Sequence, residues 1–414
     1  MRVLVVTQYF WPENFRINDL CAELVRRGHE VSVLTGTPNY PEGILFPEFL
    51  SNPANYNVYK GCSIIRVPVI VRGCGSYLKL LLNYSSYVIS ASLIGVFKIR
   101  KQQFDVVFVY GPSPVTVCLP ALFIKKIHKI PVVFWVLDLW PETLEAIGVV
   151  KSPKILNWVG YLVRFIYNRC DLILGQSKAF YTGISRYCDD PSKIKYFPSW
   201  SEDVFTETEI LPVVKLEIHK NVFKILFAGN VGEAQDFPAI LNAAEILKVR
   251  KIQAKFFIVG NGRALDWVQS ELVRRKLEEY VLFLGRHPLE SMPNFYAAAD
   301  ALLVTLKDSP AFAMTIPGKV QSYMAAGKPI LTMLSGEGSK VIEEACCGFV
   351  ADAGDYEQLI DNIEKMIRLN CKDLNVLANN AKTYAHNEFD RDKLISQLEE
   401  WFVSLSAQGK EDIS

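Results

Sequence analysis

The sequence predicts an α/β protein built as two doubly wound, Rossmann-like halves, and three observations carry that reading. Short apolar, β-branched runs alternate with helix-period segments, and the alternation occurs in two series that each have their own start. At 414 residues the chain is too long for one ordinary domain and suits two of roughly 200 residues each. Between the series the pattern breaks into Phe197-Pro198-Ser199-Trp200-Ser201-Glu202-Asp203, with Pro212 following, a linker composition.

In the first half, strands are expected at 2–7, 30–35, 63–67, 105–110, 131–137, 171–175 and 193–197. A helix over 17–27 joins the first two, with Ile17, Leu20, Cys21, Leu24 and Val25 on one face and Gly28 as its stop. That is a βαβ unit, and its repetition means a parallel sheet with helices on both faces. The second series has strands at 223–228, 255–259, 280–284, 300–305, 329–333 and 348–351. A final helix at about 391–405 precedes a polar tail at 407–414. The expected domains are 1–200, 201–388 and the terminal segment 389–414.

Lys and Arg total 45 against 44 Asp and Glu, so no global field draws the chain to nucleic acid. The nine cysteines form no Cys-x-x-Cys pair, and free thiols in a reducing cytoplasm are the simpler reading. The first strand begins at the terminus, leaving no room for a signal peptide. Residues 80–97 carry no charge and are bounded by Lys79 and Lys98, long enough for a membrane span. Asn83, Tyr84, Ser85, Ser86, Tyr87, Ser90 and Ser92 make the run polar for a lipid-facing one. Three readings stay open: a core helix, an interfacial helix, or a true span. Arg72, Lys79, Lys98, Arg100 and Lys101 would favour anionic lipid at an interface.

The most informative stretch runs from Ile316 to Ile330. A Pro317-Gly318 turn opens a short helix with Lys319 in its first turn, Gly327 stops it, and an apolar strand follows. Free N–H groups and the positive helix end make that start an anion cradle, and Lys319 adds a full charge. The segment resembles the donor-binding helix of GT-B glycosyltransferases of the large retaining family (family 4 type) that use nucleotide-sugar donors. There a Glu followed by Ala-Met-Ala-Ala-Gly-Lys-Pro is common. Here Gln321 stands where that Glu would grip the donor ribose, and Ala313 replaces the second Glu eight residues earlier. A Gln can still accept from ribose hydroxyls.

The resemblance covers nearly the whole chain and implies the GT-B architecture, two Rossmann-like domains facing a cleft, with the last helix packing back on the first. Ligands bind beyond the carboxyl ends of parallel strands. In the second half the first such loop is Gly229-Asn230-Val231-Gly232-Glu233-Ala234-Gln235-Asp236, whose Gly229 and Gly232 let backbone approach a phosphate or simply form a tight strand-to-helix turn. It resembles a Gly-Asn-x-Gly-x-Ala-Gln variant of one subgroup of bacterial polysaccharide transferases, and lacks the Arg and Lys that related enzymes place there. Arg263 follows the next strand, for a phosphate or a structural ion pair. Arg286 and His287 follow the third, where the resemblance implies contact with the base.

The first half would hold the acceptor. Its loops Gln8–Arg16 and Gly36–Gly43 put aromatic rings beside carboxylates and amides, a composition that suits sugar faces and hydroxyls. Glu13, Asn14, Arg16, Asn39 and Tyr40 are the candidates, Arg16 for an acceptor diphosphate. Asp138 directly follows a buried strand, where a carboxylate is costly unless something offsets it. It can orient the sugar or accept the nucleophile's proton, or act as a helix N-cap, and Glu142 is the second candidate.

The chain thus resembles a retaining, hexosyltransferase-type glycosyltransferase of bacterial O-antigen or capsule synthesis, closest to L-fucosamine (L-FucNAc) transferases. The implied donor is a UDP-linked N-acetylated 6-deoxyhexosamine, with a GDP-sugar next, and the implied acceptor is a lipid-diphosphate-linked saccharide. Asp390-Arg391-Asp392 is the one Asp-x-Asp and follows no strand, so no metal or other cofactor is expected. The expected location is the cytoplasm, peripheral on the inner membrane face through 77–101. The rivals are a nucleotide-sugar 2-epimerase of the same fold and a non-catalytic, membrane-associated assembly protein.

Overall fold

A computed structural model gives the structure, and it describes residues 1–73, 77–146, 150–201, 213 and 221–411. The chain divides into two compact units, Met1–Phe197 with Asp392–Ser414, and Pro198–Arg391. Most of the expected linker, 202–212, lies outside the described residues, as does 412–414 of the expected polar tail.

The first unit holds an eight-stranded sheet in the order β3-β4-β2-β1-β5-β6-β7-β8. The strands are β1 (Arg2–Val6), β2 (Glu30–Gly36), β3 (Val58–Tyr59), β4 (Cys62–Val67), β5 (Val106–Gly111), β6 (Val132–Val136), β7 (Leu172–Gly175) and β8 (Ile194–Tyr196). Seven run parallel. The two-residue β3 is antiparallel to β4, with Val58 opposite Ser63 and Tyr59 opposite Cys62. Two residues have no period to read, which is why the sequence reading missed it. Its signal is the turn Lys60-Gly61, both at positive φ (44° and 87°), the hairpin geometry that glycine favours.

Several strands start one residue later than expected, and the reason is shared. Asp105, Asp171 and Asp300 precede β5, β7 and β12 (Ala301–Thr305) and turn their carboxylates onto a neighbouring strand's open N–H. Asp105 accepts from Arg2 at 2.7 Å, Asp171 from Val132 at 2.8 Å and Asp300 from Lys224 at 2.7 Å. These acids cap the amino ends of the sheets, which leaves the carboxyl ends for ligands.

The uncharged run forms a helix, Tyr77–Ser90, that continues through a π turn at Ala91–Gly95 into Val96–Ile99. By length and composition Leu78–Ile99 passes for a membrane span. Its buried face steps by four through Asn83, Tyr87, Ala91, Gly95 and Ile99. Asn83 accepts from Gln8 at 2.6 Å and donates to the Ile70 carbonyl at 2.6 Å, while Tyr87 donates to the Leu34 carbonyl at 3.2 Å. One face of this helix is therefore core and the other is open.

The last helix, Arg391–Glu411, belongs to the first unit from Asp392 onward and runs six residues beyond its expected end. Leu394, Ile395, Leu398 and Phe402 are buried, with the Phe402 ring edge-on to Phe108 at 5.8 Å. Arg27 fixes it to the end of the Arg16–Arg26 helix, bonding Asp392 and Glu399 at 2.8 Å each while holding Glu23 at 2.7 Å.

The second unit has six parallel strands in the order β11-β10-β9-β12-β13-β14: β9 (Phe223–Ala228), β10 (Ala254–Val259), β11 (Val281–Gly285), β12, β13 (Ile330–Met333) and β14 (Gly348–Ala351). Apolar clusters cover both faces of the sheet. In each unit the strand order reverses beside the first strand, at β1/β5 and at β9/β12, and the loops leaving those pairs frame the place where a doubly wound sheet accepts a ligand.

Candidate functional site

In the second unit the site is built on the close approach of three loops. Gly229 ends β9 at φ 144° and Gly260 ends β10 at φ 147°. A Cβ on Gly260 would stand 1.8 Å from the Gly229 carbonyl oxygen, and one on Gly262 would stand 2.2 Å from that of Val231. Only glycine allows this packing. The backbone ties hold it in register, with Gly229 N–H on Val259 O at 2.8 Å, Val231 N–H on Asn261 O at 2.9 Å and Gly260 N–H on Gly285 O at 2.9 Å.

The helix expected after Pro317 spans Gly318–Ala326 and is anchored by Tyr323. The fully buried Tyr323 hydroxyl accepts from the Ala228 N–H at 2.9 Å and lies 3.3 Å from the Ala228 carbonyl. The helix is thereby tied to the end of β9. Lys319 then lies across the Gly229 turn, where a Cβ on Gly229 would meet Lys319 Cε at 2.6 Å. Its ammonium sits 3.7 Å from the Phe227 ring centre and donates to Gln235 Oε1. Among the described residues no carboxylate pairs with Lys319, and burial pulls its pKa down to about 7. A cation held this way gains most from an anion, because the anion supplies the charge partner that the protein does not.

The other expected donor residues divide. Gly229, Gly232, Pro317 and Gly318 shape the cradle, with Asn230 exposed at its edge. Gln321 is buried; with its amide nitrogen turned to the helix start it donates to the Pro317 and Gly318 carbonyls at 3.0 and 3.2 Å. Its donor capacity is spent on its own helix, while its amide oxygen keeps the acceptor capacity that a ribose hydroxyl would use. Arg263 and Arg286 are exposed on the loops after β10 and β11. His287 turns inward, its Nε2 donating to the Leu284 carbonyl at 3.0 Å and its ring 4.6 Å from Phe295. The base contact that the resemblance implies at this loop is through backbone, which this packing leaves open.

In the first unit, burial and a neighbouring hydroxyl define Asp138. It follows β6 and lies close enough to the Ser113 side chain, in the loop after β5, and to Tyr84 and Tyr110 to interact with all three. Burial raises its carboxyl to about 7, and the Ser113 hydroxyl opposes that shift. Ser113, within Gly111-Pro112-Ser113-Pro114, was missed in the sequence reading, although a Pro-flanked Ser just past a buried strand is a visible signal. Glu142 turns elsewhere, 3.5 Å from Arg186 and beside Tyr167 and Tyr187. The structure does not group it with Asp138, Ser113 and Tyr110.

Two of the expected acceptor residues are buried and hold the loops together. Glu13 is 2% exposed and its carboxylate accepts the N–H groups of Asn39 and Tyr40 at 2.8 Å each and of Phe10 at 3.1 Å. It ties the β1 loop to the β2 loop. Asn39 is equally buried, its amide donating to the Thr37 carbonyl at 2.9 Å. What these ties present is a ring cluster, Tyr9 stacked on Phe15 at 5.5 Å with Tyr40 5.2 Å from Phe15, and Arg72 over Tyr40 at 5.0 Å. Asn14 is exposed beside it, and Arg16 lies close enough to the Tyr110 hydroxyl to act on it. Arg66 and Arg72, absent from the expected set, supply the cations that brace these loops. Among the described residues no group of three or more His, Cys, Asp or Glu side chains stands together as a metal site.

Both halves match known families. Residues 15–200 match the model described as Glycosyltransferase Family 4, and residues 213–384 that described as Glycosyl transferases group 1. A Pseudomonas aeruginosa protein named as a glycosyltransferase, WbjE, is 29% identical over 58% of this chain, and the match spans 61% of that protein. WcaI of Escherichia coli (strain K12), named for colanic acid biosynthesis glycosyl transfer, is 24% identical over 96% of this chain and 98% of its own. The sucrose-phosphate synthase of Thermosynechococcus elongatus superposes with a TM-score of 0.75 at 14% identity, covering 98% and 99% of the two chains. Anabaena HepE in complex with UDP gives 0.70 at 16% identity, covering 98% and 100%.

Proposed function

The chain is a GT-B glycosyltransferase, and from that premise we propose that it transfers a sugar from a UDP-linked donor to a lipid-diphosphate-linked saccharide in the synthesis of a cell-surface glycan. The observation that carries the donor reading is Lys319, stretched over the Gly229 turn at the start of a helix that Tyr323 locks to β9. A diphosphate placed there meets a cation, the positive end of a helix and the N–H groups of a glycine turn. The UDP complex of the HepE neighbour and the polysaccharide name of the WcaI relative support donor and pathway class. The donor sugar is an N-acetylated 6-deoxyhexosamine such as L-FucNAc, from the resemblance of nearly the whole chain to L-fucosamine transferases, strongest at Phe10–Arg16, Asp138–Glu142 and Pro317–Pro329.

In the reaction the bond between the anomeric carbon and the diphosphate oxygen breaks, and UDP leaves with the electron pair. The acceptor hydroxyl attacks the same face, giving retention, and its proton passes to the departing phosphate oxygen or to Asp138. The charge that develops on UDP falls to Lys319 and the adjacent N–H groups, with no resident metal in this reading. The Tyr9, Phe15 and Tyr40 rings with Arg72 receive the acceptor. The helix over 77–99 lays its open face on the inner surface of the cytoplasmic membrane, where a lipid-linked acceptor resides.

A thermal-shift panel of UDP, GDP and their sugars tests the donor class, since a ligand at 100 times its Kd adds about 2.7 kcal/mol of apparent stability. A shift with UDP that is lost in Lys319→Ala supports the reading. Equal response to every nucleotide, or none, removes it.

A further inference from the structure

The first unit exposes apolar side chains on three helices, and these meet around one groove. On Tyr77–Ser90 and its continuation, Leu78, Leu81, Ile89, Leu93 and Phe97 form the open stripe, with Leu93 65% and Phe97 63% exposed. On Pro153–Tyr167, Ile155, Trp158, Tyr161 and Phe165 recur every three or four residues on the face opposite buried Val159, Val163 and Ile166. Trp158 is 67% and Tyr161 74% exposed. On Cys118–His128, Phe123 and Ile127 are open. A groove of about 900 Å³ is lined by Leu93 of the first, Phe165 of the second and Phe123 of the third, so the stripes share one side of the unit.

The charge on these helices is as one-sided as their apolar faces. Residues 77–101, 118–130 and 150–170 contain four, three and four Lys or Arg respectively and not one Asp or Glu, in a chain whose net charge is +1. Two of those bases are paired, Lys125 with Asp171 and Arg164 with Asp189. Lys98, Arg100, Lys126, Lys129, Lys154 and Arg169 are exposed around the apolar stripes. An apolar patch of this length with a clear excess of bases at its rim, the nearby acids Asp171 and Asp189 being paired to Lys125 and Arg164, is not the surface of an ordinary monomer.

We propose that the three helices together form one docking surface for an anionic bilayer, with Trp158 and Tyr161 seated at the headgroup level and the groove open to an acyl chain. Leu, Ile and Phe enter the apolar boundary, the bases meet anionic headgroups, and Trp and Tyr take the interface where their amphipathic rings are favoured. The core face of the 77–99 helix stays bonded to Gln8 and Leu34, so the helix lies in the membrane plane. This extends, and rests on, the membrane contact assigned above to 77–101.

The test is sedimentation of the full chain with vesicles of phosphatidylcholine containing or lacking phosphatidylglycerol. Three forms are compared, the wild type, Leu81→Glu with Leu93→Glu, and Trp158→Glu with Phe165→Glu. All changed positions are exposed, and circular dichroism checks the fold of each. The expected result is binding that needs phosphatidylglycerol and falls at least tenfold in both double variants, with Trp158 fluorescence quenched by brominated acyl chains relative to Trp158→Phe. If the Trp158 pair binds like wild type while the Leu81 pair does not, the three-helix surface is wrong and the 77–99 contact stands. No binding by wild type removes both. A concentration-dependent dimer abolished by the same substitutions identifies a second copy of the chain as the occupant instead, and overturns the proposal.

Discussion

The Lys319 ammonium rests 3.7 Å from the centre of the Phe227 ring, with Gln235 as its hydrogen-bond partner. A ring face attracts a cation by about 0.5–2 kcal/mol, well short of what a diphosphate supplies at the same site. The resting contact therefore keeps the side chain aimed without satisfying it.

A pH dependence follows from that geometry. Burial holds the folded pKa of Lys319 at about 7, below its ordinary 10.5. Charged Lys319 is thus a cost to the folded protein at low pH, and its contribution to stability improves as pH rises from about 7 to 10.5. UDP has the opposite preference, because it binds the charged form and raises this pKa. We expect UDP affinity to fall by up to about tenfold per pH unit above 7, with proton uptake on binding at pH 8 in calorimetry across buffers of different ionisation enthalpy. Lys319→Arg should flatten the profile.

Lys319→Ala is expected to lower kcat/KM by the equivalent of about 2–4 kcal/mol, the order for one group stabilising developing charge. Steady-state kinetics with the preferred donor gives the value, and wild-type turnover would return Lys319 to a packing role.

Tyr323→Phe removes the hydroxyl that joins the Gly318–Ala326 helix to Ala228 and leaves a buried N–H without its partner. The expected cost is about 1–3 kcal/mol in urea unfolding, accompanied by weaker UDP binding. Loss of stability with UDP affinity unchanged would separate the helix anchor from the donor site.

Asp138→Asn should abolish transfer while UDP binding persists. Because burial raises the Asp138 carboxyl to about 7 from 3.8, its ionisation opposes folding, and its contribution falls as pH rises from about 4 to 7. The Asn variant is therefore expected to be more stable than wild type at pH 8, read as Tm. A variant that is less stable and still active would assign Asp138 to loop structure.

The two-unit fold was legible because it rests on periodicity, which survives in one dimension. All thirteen expected strands are present within a residue or two of their predicted ends, and the short β3 escaped because its only signal is a turn. Lys319, the glycine turns and Asp138 were legible because loops after buried strands are few and polar residues there are conspicuous. What was not legible is the direction of side chains. Glu13 and Asn39 have the composition of a sugar site, yet backbone N–H groups of the adjoining loop claim the one and the core the other. Gln321 closes on its own helix start, and Ser113 and Tyr323 matter through contacts 25 and 95 residues away in sequence, as Asp138 and Ala228 show.

The most direct measurement is transfer by the purified protein from a panel of UDP-sugars to a lipid-diphosphate saccharide in vesicles, run in parallel with Lys319→Ala. The account predicts product from one UDP-sugar with the anomeric configuration retained, and a large loss in the variant. Release of an epimerised nucleotide sugar without acceptor, or full transfer by Lys319→Ala, would contradict it.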